Sequence, residues 1–156
     1  DDGAWHATIP AIGQRTPGQP AMDSGGGGLV STAGDYAAFG RLLAHGGLAM
    51  DGPARGQRLL SEALLGEMFR NQLPTGVDGP GAYTGPGFGF GLGLAVRLAD
   101  GPAAMPCQPG EGVWSGISGT AMFVRPGDGW FALLFSANMA SRMMARMVFR
   151  RALGRL

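Results

Sequence analysis

The stretch from Phe88 to Leu98 constrains the fold of this chain most. Large apolar residues alternate there with glycine over seven positions, Phe88-Gly-Phe90-Gly-Leu92-Gly-Leu94, and the apolar run continues through Leu98. A period of two is typical of a β-strand, because successive side chains point to opposite faces of a sheet. Glycine at every second position leaves one face bare, so another backbone or a helix can approach it closely. We therefore predict one strand over 88–98.

Two further apolar runs, 120–124 and 130–135, predict strands of the same sheet. The sequence Pro-Gly-Asp-Gly at 126–129 lies between them and is a hairpin turn signal. The segment 32–47 predicts a helix. Thr32 and Asp35 resemble a capping box at its start, and Gly46-Gly47 ends it. Its apolar residues are on one face: Tyr36, Phe39, Leu42 and Leu43.

A second helix is predicted over 62–70, with Ser61 before its first turn. It would bury three apolar side chains, Leu64, Leu65 and Met68. A third helix, over 139–153, is amphipathic and closes the chain. Its apolar face, predicted to pack on the sheet, comprises Met139, Ala140, Met143, Met144, Met147, Val148 and Ala152. The opposite face carries Arg142, Arg146 and Arg150, which we interpret as solvated rather than as a patch for an anionic membrane or nucleic acid.

The order of elements predicts an α+β fold, with an antiparallel sheet of three or four strands packed by a C-terminal helix. Two helices and long Gly/Pro-rich loops precede the sheet. The 156 residues fit one domain. Within it we expect an extended leader over 1–24, a helical part over 25–70, a loop over 71–87, and the sheet with its helix over 88–156.

Composition excludes several classes of function. The net charge of +1 disfavours a nucleic-acid partner, and the single Cys107 excludes an internal disulfide and a cysteine-rich zinc site. All twelve basic residues are arginine. Without lysine there is no Walker phosphate loop, no Schiff-base enzyme and no self-sufficient Ser-Lys hydrolase. No apolar stretch reaches 18 residues, so we expect a soluble protein without a membrane span.

Most candidate reactive positions are weak. The run Gly25 to Gly28 precedes a helix, but a tight chain reversal explains it better than a phosphate cradle. Cys107 lacks a neighbouring group that would lower its pKa. The histidines, His6 and His45, are neither paired with each other nor placed at metal-ligand spacing. We expect no cofactor and no metal.

The segment 110–120 is different, since it is polar and punctuated by glycine between runs that predict sheet. Small residues at 115, 116, 118 and 119 let a ligand approach and expose N–H groups, as an oxyanion hole requires. Ser118 is a poor nucleophile candidate, because Gly116-Ile117-Ser118-Gly119-Thr120 misses the G-x-S-x-G pattern.

With this segment the chain resembles the serine hydrolases related to class C β-lactamases, penicillin-binding proteins and β-lactamase-like esterases. The likeness includes the stretch 25–36 and the start of the sheet at 88–93, and it centres on Trp114-Ser115-Gly116. That triplet is similar to the family's third active-site motif, Lys-Thr-Gly, in which Trp or His replaces Lys in many esterase-like members. The resemblance implies that Trp114, Ser115 and Gly116 contact substrate and that the backbone N–H of Ile117 is an oxyanion-hole donor.

The family's nucleophile and base come from Ser-x-x-Lys, which a chain without lysine cannot contain. Its second motif, Tyr-x-Asn or a variant, is matched neither at Tyr36 nor at Tyr83. Both motifs lie upstream of the glycine-rich stretch in the family. We therefore expect the chain to be the C-terminal part of such a hydrolase, inactive alone and missing an N-terminal portion of the parent.

The expected substrates are a small ester, a β-lactam or a D-amino acid peptide. Trp114 in the Lys place favours an esterase over a dedicated β-lactamase, because the cation that would meet a β-lactam carboxylate is absent. The alternative is a non-catalytic binding protein or module on the same fold. A sheet without its first strands would expose an edge, so homo-oligomers by strand pairing or swapping are expected. The expected location is the bacterial cytoplasm or periplasm, and the sequence does not distinguish the two.

Overall fold

The computed structural model describes Leu29 and residues 31–77, 84–99 and 105–154. The contacts divide the chain into two units, residues 1–32 and residues 33–156. Every helix and strand given below belongs to the second unit. The predicted leader over 1–24, the glycine run at 25–28, His6 and Tyr83 lie outside the described residues, as does part of the predicted loop over 71–87.

A five-stranded antiparallel sheet organises the second unit, and its strands lie side by side in chain order. They are β1 (Phe88–Phe90), β2 (Ala95–Arg97), β3 (Gly112–Ser115), β4 (Ala121–Arg125) and β5 (Trp130–Leu134). The predicted α+β class is confirmed, and the hairpin predicted at 126–129 joins β4 to β5. The sheet has five strands, whereas three or four were predicted.

One additional strand arises because the predicted strand over 88–98 is a hairpin, and another is β3, which lies in a segment that was not predicted as a strand. Phe88 pairs with Arg97 and Phe90 with Ala95. The chain reverses between them, where the N–H of Gly91 donates to the carbonyl of Leu94 at 2.8 Å. Gly93 has φ +85°, which glycine adopts readily. The expected close approach does occur, since a Cβ at Gly91 would overlap the carbonyl oxygen of Met68.

Two helices pack on one face of the sheet, α1 (Ala33–Ala44) and α2 (Glu62–Met68). Both begin where the sequence predicts. The hydroxyl of Ser61 accepts the N–H of Leu64 at 3.1 Å and so caps α2. Their buried side chains form one cluster with residues of β4. Its buried members are Leu43, Ala44, Leu65, Leu94, Met122 and Val124.

The prediction that Leu64 is buried is wrong, because this side chain is exposed. The helix α2 has seven residues, which is about two turns. So short a helix turns only one row of side chains toward the sheet, and that row contains Leu65 and Met68, three positions apart.

The C-terminal helix α3 (Arg142–Ala152) lies on the other face of the sheet. There Phe149 packs against a cluster that includes Val113 and Phe123. Its predicted orientation is wrong. Arg146 and Arg150 are only 1% and 4% exposed, whereas Met144 and Val148 are 69% and 59% exposed. The arginine face is therefore turned into the protein, and part of the predicted apolar face is turned to solvent.

The reason for this orientation is a buried carboxylate. Glu111, immediately before β3, is completely buried. A carboxylate at such a place requires a cation and hydrogen bonds, because an unpaired buried charge is very costly. Arg150 supplies both from α3, with its Nη2 atom 3.0 Å from each carboxylate oxygen. Leaving Glu111 buried without a cation would cost about 3–5 kcal/mol, which accounts for an arginine face turned toward it.

Candidate active site at the end of β3

The residues singled out by sequence lie where β3 ends and turns back into β4. The segment was predicted to interrupt the sheet, but its central part, Gly112–Ser115, is a strand, with Trp114 opposite Met122 and Ser115 opposite Ala121. After Ser115 the chain forms a closed turn. The N–H of Gly116 donates to the carbonyl of Thr120 at 3.0 Å, and the N–H of Gly119 donates to the carbonyl of Gly116 at 3.1 Å.

Two glycines are necessary for this turn. A Cβ at Gly116 would overlap Oγ1 of Thr120. Gly119 has φ +123°, a conformation that residues with a Cβ rarely adopt, and a Cβ there would also lie 3.0 Å from the hydroxyl oxygen of Ser136. The small residues that the sequence places here therefore serve a tight reversal of the backbone.

The turn determines the direction of the Ile117 N–H. This N–H and the carbonyl of Gly116 belong to one peptide group, and no peptide bond in the described residues is cis. In a trans peptide the two point in opposite directions. Because the carbonyl points into the turn toward Gly119, the Ile117 N–H points out of it. Within the described part of the chain, this N–H has no backbone acceptor.

A cavity of about 200 Å³ lies beside this turn. It is lined by Trp114, Ser115, Gly116, Ile117, Arg142 and Arg146. The four residues named from the sequence therefore all line this cavity. Trp114 is 39% exposed, and its ring meets that of Phe90 edge to face, with centroids 5.1 Å apart.

The two arginines of the cavity wall were missed by the sequence analysis, which placed them on a solvated face. Arg146 donates from its guanidinium to the carbonyl of Gly116. Arg142 donates to the carbonyl of Met139 at 2.6 Å. A signal for this arrangement was present in the sequence, since Glu111 stands among glycines and apolar residues before a strand and would need a buried cation.

A second polar cluster surrounds Glu111. Besides Arg150, Arg125 donates to its carboxylate at 2.6 Å and to the side-chain oxygen of Gln108 at 3.0 Å. The hydrogen bond to Glu111 raises the pKa of Arg125. Burial, together with the negative charge of Glu111, raises the pKa of the Cys107 thiol to about 12. Because only the thiolate is an effective nucleophile, this environment agrees with the rejection of Cys107 as a catalytic group.

The remaining candidates stand apart from the cavity. His45 directly follows α1, and its ring lies near Gly129 in the β4–β5 turn. Among the described residues, no three His, Cys, Asp or Glu side chains are grouped so that they could hold a metal ion. The described helices are all too short or too polar to cross a membrane.

The model of the family described as Beta-lactamase matches residues 2–154, nearly the entire chain. No curated protein matches it.

Proposed function

We propose, from the premise that this chain belongs to the β-lactamase family, that it supplies the substrate-facing strand and one oxyanion donor of a serine acyl hydrolase. The donor is the backbone N–H of Ile117. The observation that carries the proposal is the orientation of this N–H, which points out of the turn beside a cavity and finds no backbone acceptor among the described residues. A fixed donor of this kind stabilises the negative charge that develops on a carbonyl oxygen during acyl transfer.

The nucleophile comes from outside these 156 residues. In the family that the chain resembles, serine is activated by the lysine of Ser-x-x-Lys, and this chain contains no lysine. The serine hydroxyl loses its proton to that base and attacks the carbonyl carbon of the substrate. The resulting oxyanion accepts hydrogen bonds from the N–H of Ile117 and from the N–H of the serine itself. Collapse of this tetrahedral intermediate expels the alcohol or amine, which takes the proton back from the base. Water then hydrolyses the acyl-enzyme.

The substrate contacts are assigned to the wall of the cavity. We assign Trp114 to contact the acyl group and the Ser115 hydroxyl to hydrogen-bond a polar group of the substrate; this is supported by the partial exposure of Trp114 and by the position of both residues in the cavity lining. Gly116 lets the substrate approach the backbone. Because Trp114 stands in the place that a lysine has in the β-lactamases, we propose an ester in preference to a β-lactam, with a D-amino acid peptide as a further candidate.

The second candidate is a non-catalytic protein that binds a small molecule on the same fold. It is favoured by one observation, that a chain without lysine cannot supply the family's base. The two candidates differ in whether a functional Ser-x-x-Lys accompanies this segment.

The test is a hydrolysis assay on the protein that carries this segment together with its Ser-x-x-Lys region. A chromogenic short-chain ester, a β-lactam and a D-aminoacyl amide are compared, and fluorophosphonate labelling reports the nucleophile. Ester turnover with labelling is expected, and residues 1–156 alone should be inactive. Absence of both turnover and labelling in the longer protein would refute the enzyme in favour of the binding protein.

A matched pair of variants tests the role of the N–H. Ile117→Pro removes the N–H, and the expected loss in kcat is about 10²–10³-fold, the usual effect of deleting one oxyanion-hole donor. Ile117→Ala keeps the N–H and removes only side-chain surface, so its loss should be much smaller. Equal losses in the two variants would assign the effect to the side chain and overturn the donor role.

A further inference from the structure

We infer that Arg146 is a positioning residue for the oxyanion donor: it holds the Gly116–Ile117 peptide group so that the Ile117 N–H faces the reacting carbonyl. The inference rests on the proposed function. Arg146 itself touches the carbonyl end of this peptide group, not the reacting atoms. Its action on catalysis would therefore pass through one peptide plane.

The geometry that supports this role is a shared acceptor. The carbonyl of Gly116 accepts two hydrogen bonds, one from the N–H of Gly119 at 3.1 Å and one from the guanidinium of Arg146. The first lies within the turn, and the second comes from α3, 30 positions along the chain. With two donors on its carbonyl, the peptide plane cannot rotate without losing both bonds. The N–H at its other end is thereby fixed in direction.

The charge and burial of Arg146 make its contact strong. Its side chain is almost completely buried, at 1% exposure. A hydrogen bond from an ionised donor is roughly twice as strong as one between neutral groups. In a buried setting a charge on the carbonyl end also polarises the amide, which strengthens the N–H as a donor. Arg146 would thus both orient and strengthen the Ile117 N–H.

The alternative role for Arg146 is purely structural, an anchor that ties α3 to the end of β3. Its Nη1 atom also lies 3.5 Å from the sulfur of Met143, one turn earlier in α3. An anchor would affect the fraction of folded protein, whereas a positioning residue also changes the turnover of each folded molecule. The two roles can therefore be separated by normalising turnover to active sites.

The kinetic test uses the longer protein with three variants: Arg146→Met, Arg146→Lys and, as a control, Arg151→Met on the exposed side of α3. Active sites are titrated by fluorophosphonate. For Arg146→Met we expect kcat per active site to fall about 10–100-fold with little change in KM, which is less than the loss on deleting a donor outright. Arg146→Lys keeps a cation and should recover part of that loss, and Arg151→Met should behave as the wild type.

A boronic acid that mimics the tetrahedral intermediate provides a second kinetic measure. Its affinity should fall by the same factor as kcat/KM in Arg146→Met, because both depend on the oriented N–H. If kcat per active site and boronate affinity match the wild type, the positioning role is overturned. The positioning role is also overturned if Arg146→Met lowers only the fraction of protein that fluorophosphonate titrates.

A measurement without catalysis separates this inference from the proposed function. In ¹⁵N-labelled residues 1–156, Arg146→Met and Arg146→Lys should shift the amide resonance of Ile117, and Arg151→Met should not. An unchanged Ile117 resonance in both Arg146 variants overturns the inference, whatever the activity. If the amide shifts but the longer protein neither turns over nor labels, the control of the peptide by Arg146 stands and the proposed hydrolase function fails.

Discussion

Both carboxylate oxygens of Glu111 accept hydrogen bonds from Nη2 of Arg150, 39 positions away, each at 3.0 Å. Arg125 approaches the same carboxylate at 2.6 Å from β4. The pairing connects α3 to the sheet and gives the helix its rotation about its own axis. The same rotation brings Arg146, one turn earlier, to the end of β3. A structural ion pair and the candidate active site are thus consequences of one helix orientation.

Removing the charge of Glu111 should destabilise the fold strongly. Glu111→Gln leaves the two arginines without their anion, and breaking a buried pair from one side typically costs about 3–5 kcal/mol. Urea unfolding of residues 1–156 followed by circular dichroism measures the change. Glu67→Gln, which removes an exposed pair with Arg70, is the control and should leave the midpoint near that of the wild type. Similar midpoints for the two variants would contradict the burial of Glu111.

The exposed side of α3 should tolerate polar residues. Met144→Gln combined with Val148→Gln should change the free energy of unfolding by less than about 1 kcal/mol, since each exposed substitution usually contributes within ±0.5 kcal/mol. Thermal unfolding measures the effect. The original prediction, with these side chains against the sheet, requires a loss of several kcal/mol, and such a loss would show that the helix is rotated the other way.

The turn after β3 should not accept a methyl group at Gly116. Gly116→Ala would place its Cβ against Oγ1 of Thr120, so we expect a lower unfolding temperature and, in the longer protein, at least tenfold lower kcat through displacement of Ile117. Thr120→Ala removes the colliding oxygen, so the double variant should recover part of both losses. Additive losses in the double variant would mean that this contact is not the cause.

Cys107 should react slowly with alkylating reagents. Its thiol pKa is raised to about 12 from an ordinary value of about 9, so at pH 8 its thiolate fraction, and hence its alkylation rate, is roughly a thousandfold below that of an ordinary thiol. The rate of iodoacetamide labelling, followed by mass spectrometry, should keep rising with pH beyond 10 in the folded protein. A rate that levels off by about pH 10, as expected for the ordinary thiol of the urea-unfolded control, would contradict the buried environment.

Residues 1–156 alone should associate. Strand β5 pairs with β4 on one edge, and within the described residues no strand pairs with its other edge. Free strand edges recruit further strands. Light scattering should therefore detect dimers or larger species, and Phe135→Lys, a charge beside the end of β5 where Phe135 is exposed, should reduce them. A wild-type chain that is monomeric over a wide concentration range would contradict this expectation.

Local patterns in the sequence determined several elements of the structure. The start and end of α1, the Ser61 cap of α2 and the turn at 126–129 depend on residues within a few positions of each other, so they could be predicted directly. The same holds for the grouping of Trp114, Ser115, Gly116 and Ile117, which are consecutive in the chain. Their likeness to a family motif identified them before any geometry was known.

Three features depend on tertiary structure alone. They are the hairpin at 88–98, the side of α3 that is turned toward the sheet, and the presence of Arg142 and Arg146 at the cavity. A period of two is the same for one long strand and for two short ones, and the chain reverses where Gly91 passes the Met68 carbonyl and Gly93 has φ +85°. Hydrophobic periodicity also misassigned the face of α3. A buried carboxylate 39 positions away requires a cation, because leaving it unpaired costs about 3–5 kcal/mol, and the sequence of the helix alone does not reveal that requirement.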